Sequence, residues 1–235
     1  YRNPFGPPVL QVASNEADWL LNLNKDEKLT FFAEFNNQKS SASNIQTKVI
    51  GQDPTLEPIV IMTPKSGWWT CTSERGGGIT IWLNAIRYFS ENPPLRTIIF
   101  TANTGHELSH LGLDHFLENN PSLVQDAYLW FHLGANFAAK DGSILLQAST
   151  QDYMNLTMKQ FKKENIKGTQ SWPISERPLG EARNIFDGGG EYISLLGTNP
   201  LFHNPDDLWP HSIDIEKLEK LNNAMLKIIN DIANS

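Results

Sequence analysis

Hydrophobic positions along this chain follow two periods. Alternating or continuous apolar runs predict strands at residues 29–35, 44–50, 58–62, 96–101, 128–133 and 143–148. Apolar positions three and four apart predict helices at residues 16–23, 78–90 and 106–118, and a last one from a Ser212 or Asp214 cap to Ile232. In the 78–90 segment Ile79, Trp82, Ile86 and Phe89 share one face, and Pro93-Pro94 stops the helix. Lys159, Lys162, Lys163 and Lys167 read as the solvated face of a further helix. Strands alternating with helices predict an α/β fold: a three-layer sandwich with a mixed, mainly parallel central sheet flanked by helices.

In open sheets of this kind ligands bind beyond the carboxyl ends of the strands. Four such places here are polar or glycine-rich. They are Thr63-Pro-Lys65 running on to Ser73-Glu74-Arg75 and Gly76-Gly77-Gly78, the Thr104-Gly-His106-Glu107 turn, His132-Leu-Gly134, and the stretch from Asn199 through His203 to Asp207. All four are expected on one edge of the sheet.

Composition narrows the field. With 235 residues and 40% hydrophobic content, the chain can bury one substantial core. A net charge of -7 with 19 scattered Lys and Arg leaves no basic footprint for nucleic acid. One cysteine, Cys71, excludes an internal disulfide, and no apolar run approaches the length of a membrane span. The compartment and the oligomeric state are left open.

The densest chemistry is Thr104-Gly-His-Glu-Leu-Ser-His-Leu-Gly-Leu-Asp-His115. Its His106-Glu107-Leu-Ser-His110 string matches H-E-x-x-H, in which two imidazoles one helical turn apart hold zinc and the glutamate is the general base. That pattern needs a helix already running before His106. Here a predicted strand and Gly105 precede it, and Leu113 and Phe116 stand where the extended motif requires glycine and histidine.

In order and spacing, residues 44–232 resemble the M28 family of zinc aminopeptidases, a zinc-peptidase fold with a three-layer sandwich. The resemblance rests on Thr63-Pro-Lys65, Ser73-Glu74-Arg75-Gly76, His106-Glu107 with Leu111-Gly112-Leu113, His132, and Phe202-His203-Asn-Pro-Asp-Asp207. It implies that Glu74, Glu107 and His203 hold one zinc, with His132 contributing to a second. It also implies that His106 replaces the general-base glutamate, taking a proton from a zinc-bound water that attacks an amide of a small peptide or acyl-amino acid. Thr63 and Lys65 depart from the family, which has a metal-binding histidine and an acid there. A second reading is therefore a metal-free domain that binds a small carboxylate or peptide, with the Lys65 ammonium in place of the lost metal. A third is the H-E-x-x-H metalloprotease.

For substrate contacts, Arg75 beside the helix-opening glycines is expected to hold a carboxylate, with Lys65 nearby and Trp69, beside Trp68, as an apolar wall. Glu74-Arg75 can equally be a structural ion pair, and the glycines a device for close packing. Cys71 is expected to be a small buried side chain rather than a nucleophile, and one of Asp206 and Asp207 to orient His203. Residues 1–40 read as the remnant of a preceding or inserted lobe, of the protease-associated kind, before a peptidase domain at 41–235. On that reading the chain is the carboxy-terminal part of a longer protein.

Overall fold

The run from Ile59 to Pro64 is buried at every position, as a strand covered on both faces requires. In the computed structural model, which describes Leu10, residues 12–32, Glu34 and residues 38–235, seven strands form one sheet. They are β1 (Ile45–Val49), β2 (Ile59–Pro64), β3 (Ile98–Asn103), β4 (Leu129–Leu133), β5 (Ile144–Ala148), β6 (Thr169–Ser171) and β7 (Tyr192–Gly197). Their spatial order is β1-β3-β2-β4-β7-β5-β6. Strands β3, β2, β4 and β7 run parallel, while β1 and β5 are antiparallel to their neighbours β3 and β7. The sheet is mixed and mainly parallel, as expected.

Alternation along the strands splits the core in two. Ile59 and Ile61 point to one side, with Phe100 and Phe131, and meet the helices α2 (Thr72–Glu91), α5 (Gln151–Lys163) and α7 (Ile215–Ala233). Val60, Met62 and Trp130 point to the other, against α3 (Leu111–Glu118), α4 (Leu123–Asp126) and α6 (Ala182–Asp187). Asp214 caps α7 by accepting from the Lys217 N–H. These elements all lie in the unit Ala42–Ser235.

A second unit spans residues 1–41. Its regular structure among the described residues is a 3₁₀ turn at Ser14–Glu16 and the helix α1 (Ala17–Leu21), neither with a buried residue. Leu29 to Phe32 form no strand; residues 33 and 35 of that expected strand, and residues 7–9 and 11 of the 7–19 segment, lie outside the described residues.

Two expectations change in ways that matter for the site. The first helix of the larger unit begins at Thr72, six residues ahead of the apolar period, so Gly76, Gly77 and Gly78 lie within it. Gly77 and Gly78 serve close packing: a Cβ on Gly78 would stand 2.6 Å from the Leu133 carbonyl oxygen and from Thr63 Oγ1. The segment 106–118 is not one helix. A 3₁₀ turn at His106–Leu108 is broken by Ser109 and His110, both left-handed (φ 61 and 65), before α3 starts. Strand β7, a central strand, is an apolar run that the periodicity passed over.

Candidate functional site

The parallel strands deliver their carboxyl ends to one edge, and helix α2 begins there with a satisfied amino end. The Ser73 and Glu74 N–H groups donate to the two carboxylate oxygens of Asp207, at 2.8 and 3.0 Å, and Ser73 Oγ donates to the same carboxylate. Asp207 therefore serves as the helix's anion, not as the orienter of His203, and leaves no free N–H groups for a substrate carboxylate. Burial works against its ionisation, yet the hydrogen bonds, those of Ser73 and Glu74 among them, outweigh it and hold its carboxyl below the ordinary range.

Capping in this way turns Glu74 and Arg75 inward, at 1% and 3% exposure. Arg75 Nη2 lies 2.8 Å from Oε1 of both Glu74 and Glu107. Only Glu107 receives it as a hydrogen bond; both Glu74 oxygens and Arg75 Nη1 are buried without a hydrogen-bond partner among the described residues. Burial pushes the Glu74 carboxyl up against the pull of Arg75 and His203. Burial also acts on Glu107, but the bonds from Arg75 and Ser66 prevail and lower it. Ser66 ties the site together: its carbonyl accepts from Arg75 Nε at 2.5 Å, its hydroxyl donates to Glu107 Oε2 at 2.8 Å, and the same hydroxyl accepts from the His106 N–H at 3.0 Å.

His203, left-handed at φ 56, places Nε2 3.5 Å from Glu74 Oε1 and stacks on Phe202. Trp68 meets His203 edge-on, and Trp69 follows Trp68 at 6.4 Å, so an exposed aromatic group stands beside the buried acid. Trp69, Cys71, Ser109, His110 and His203 are five of the eight non-glycine residues with positive φ among those described. Such backbone gathers at functional sites. The Cys71 thiol is pushed up by burial and by Glu74, which suits a packed side chain and not a nucleophile.

His106 is held differently from the expectation. Its Nδ1 lies 3.1 Å from Oε1 of Glu181, a fully buried residue just ahead of α6. The other Glu181 oxygen accepts from Asn103 Nδ2 at 3.1 Å, and Thr101 Oγ1 donates to Asn103 Oδ1 at 2.7 Å, fixing the amide's orientation. Burial would raise the Glu181 carboxyl, but the hydrogen bond and charge of His106, with His132 and Asn103, hold it low and ionised. Sequence reasoning missed this residue: an acid in a loop of Pro, Gly and Arg carries no local sign of burial.

Of the expected zinc ligands, Glu74, Glu107 and His203 come together, while His132 is engaged by Ser194. Among the described residues no three His, Cys, Asp or Glu side chains come together in an arrangement that could hold a metal ion. His132 is fully buried with its imidazole driven down to about 3, and its Nδ1 meets Ser194 Oγ at 2.8 Å. Glu74, Glu107 and His203 do gather, but around the Arg75 guanidinium. Unit charges 4 Å apart interact by about 4 kcal/mol at an effective dielectric of about 20, so a dication beside Arg75 would meet roughly twice that repulsion. These residues do not fit zinc. Lys65 makes no ion pair among the described residues, and Thr63 donates to the Leu133 carbonyl. The H-E-x-x-H reading fails too: His106 and His110 stack face to face at 4.7 Å, and His110 is engaged by Asn184 and Arg183.

No family model and no curated protein matches the sequence. Solved structures do. A zinc aminopeptidase from Bacillus subtilis superposes with a TM-score of 0.69 at 16% identity, over 82% of this chain and 50% of its own. An aminopeptidase from Aneurinibacillus sp. strain AM-1 gives 0.66 at 14% identity, over 81% and 48%. A peptidase M28 precursor from Shewanella amazonensis SB2B gives 0.56 at 17%, over 82% and 45%. The chain spans about half the length of these structures, and its fold is that of the M28-type aminopeptidases.

Proposed function

We propose that this domain binds the amino end of a peptide or of an amino-acid amide without a zinc ion. The carrying observation is Glu74, a carboxylate whose two oxygens are buried without a hydrogen-bond donor among the described residues, beside a guanidinium 2.8 Å from both Glu74 and Glu107. An ammonium brings three N–H donors, and hydrogen-bond donors are what the Glu74 oxygens lack. The adjacent carbonyl of an aminoacyl unit has a donor in Arg75 Nη1, which is also buried without a partner. Trp68, Trp69 and Phe202 offer apolar and cation-attracting surface beside the acid. The aminopeptidase fold supports a peptide-class ligand, and the arginine replaces the metal of the expected zinc hydrolase.

Calorimetric titration of chelator-treated protein with a panel of aminoacyl amides tests this. Free-amine ligands bind, their N-acetylated forms do not, and Glu74→Gln weakens binding at least about tenfold, as the loss of one charge-assisted contact implies. Stoichiometric zinc in protein purified without chelator, lost in His203→Ala, would overturn it. Equal binding of the N-acetylated forms would do the same.

A further inference from the structure

His106 and Glu181 have a geometry that ligand binding alone does not need. Glu181 is fully buried, both its oxygens are engaged, and it is the carboxylate partner of an imidazole that is itself 23% exposed at the side chain. With an ionised acceptor on that side, Nδ1 carries the proton and Nε2 is left with an open lone pair. Nε2 makes no hydrogen bond among the described residues. A carboxylate behind an imidazole in this way fixes the ring's tautomer and supports its protonated form. Positioning is redundant: Asn103 and Thr101 hold Glu181 from below, the Ser66 hydroxyl takes the His106 N–H, and His110 stacks on the ring.

The second element is electrophilic. Arg75 is held on the same Ser66, through Nε to the carbonyl, while its Nη1 is buried and unpartnered. A guanidinium N–H in a buried setting stabilises negative charge developing on a carbonyl oxygen, a role a zinc ion fills as a Lewis acid elsewhere. One residue, Ser66, thus holds both the base and the oxyanion donor, and the latter lies 2.8 Å from the acid expected to seat the ligand's amine.

We propose that His106, positioned by Glu181, is the general base of a metal-independent hydrolysis of the bound aminoacyl amide or ester, with Arg75 as the oxyanion donor. This rests on the reading of the site as one that binds an aminoacyl group. A water oxygen adds to the carbonyl carbon while its proton passes to His106 Nε2, and the carbonyl π pair moves onto oxygen, where Arg75 Nη1–H holds it. The adduct collapses, the bond to the leaving nitrogen or oxygen breaks, and Nε2 returns the proton to that atom. The products are a carboxylic acid and an amine or alcohol, with no other reactant. His106 is the catalytic residue here, and Glu181 is a positioning residue.

The test uses the full chain, pre-treated with chelator, on a panel of aminoacyl para-nitroanilides and aminoacyl para-nitrophenyl esters. Turnover insensitive to chelator is expected. His106→Asn, a change at a partly exposed turn, lowers kcat about 100-fold or more with KM within about threefold, in the range of lost general-base catalysis. Glu181→Gln lowers kcat at least about tenfold, again at constant KM, whereas a loss of folding would move both together with the unfolding midpoint. Should Glu181→Gln not fold, the His106→Asn split of kcat from KM decides alone. Compounds that bind calorimetrically but are not turned over, or His106→Asn with unchanged kcat, would overturn the hydrolysis and leave the binding reading standing; turnover abolished by chelator would overturn both. Absence of binding would remove both.

Discussion

At the scale of single residues the site is organised by charges that cannot leave. Arg75 at 3% exposure neutralises two acids at once, and removing one member of such a buried group leaves the others uncompensated, at a cost of about 3–5 kcal/mol. Arg75→Ala is therefore expected to lower the urea midpoint by that equivalent. The same change opens the space among Glu74, Glu107 and His203 to a dication. Micromolar zinc is expected to raise the melting temperature of Arg75→Ala and leave the wild type unmoved, which thermal denaturation with and without zinc will show. Asp207 supplies a pH dependence with a definite sign. Its folded carboxyl lies below its unfolded value, so its contribution is complete above the unfolded pKa of about 4 and fades as pH falls through the folded value. Melting temperatures measured between pH 7 and 2 are expected to fall more steeply in the acid range for wild type than for Asp207→Asn, with the variant less stable at pH 7 by about 1–2 kcal/mol.

At the scale of elements, α2 carries the most instructive contrast. Gly76 and Gly78 lie two residues apart in one helix and meet different surroundings. A Cβ at 76 finds nothing nearer than Ile213 Cδ1 at 3.8 Å, whereas one at 78 runs into the Leu133 carbonyl and Thr63 Oγ1 at 2.6 Å. Gly76→Ala is expected to stabilise the protein by about 0.5–1 kcal/mol through helix propensity. Gly78→Ala is expected to destabilise it by about 1–3 kcal/mol, since the helix must back away from the sheet. Denaturant unfolding of the two variants separates these outcomes. The element that departs from its periodicity, residues 106–118, does so for a physical reason: the left-handed Ser109 and His110 turn the chain so that His106 faces Glu181 and His110 faces Asn184. A continuous helix would align the two imidazoles on one face and lose the buried carboxylate partner.

For the whole molecule, both halves of the core described above lie within Ala42–Ser235. A chain of residues 42–235 is expected to fold alone, with one cooperative unfolding transition followed by circular dichroism and an m-value near that of the full chain, because m follows the surface exposed on unfolding. A midpoint below half that of the full chain would show that residues 1–41 are needed for this core. No helix among the described residues is long and apolar enough to cross a membrane.

The sequence by itself determined the architecture and the location of the polar site. Strand alternation and helical spacing are local patterns that report burial directly, so β1 to β5, α7 and the convergence of Glu74, Glu107 and His203 at the carboxyl edge were legible from them. Neither β6 nor β7 was read, because short apolar runs carry no period that separates strand from buried helix. Only the tertiary structure decided what the site holds. Arg75 reads locally like any surface cation beside glycine, and Glu181 like a loop acid; the partner each one meets, the Glu107 carboxylate for Arg75 and the His106 imidazole for Glu181, lies 32 and 75 positions away. Charge pairing across such distances is set by packing and desolvation, and it turned an expected zinc centre into an arginine-centred cluster with an imidazole–carboxylate pair beside it.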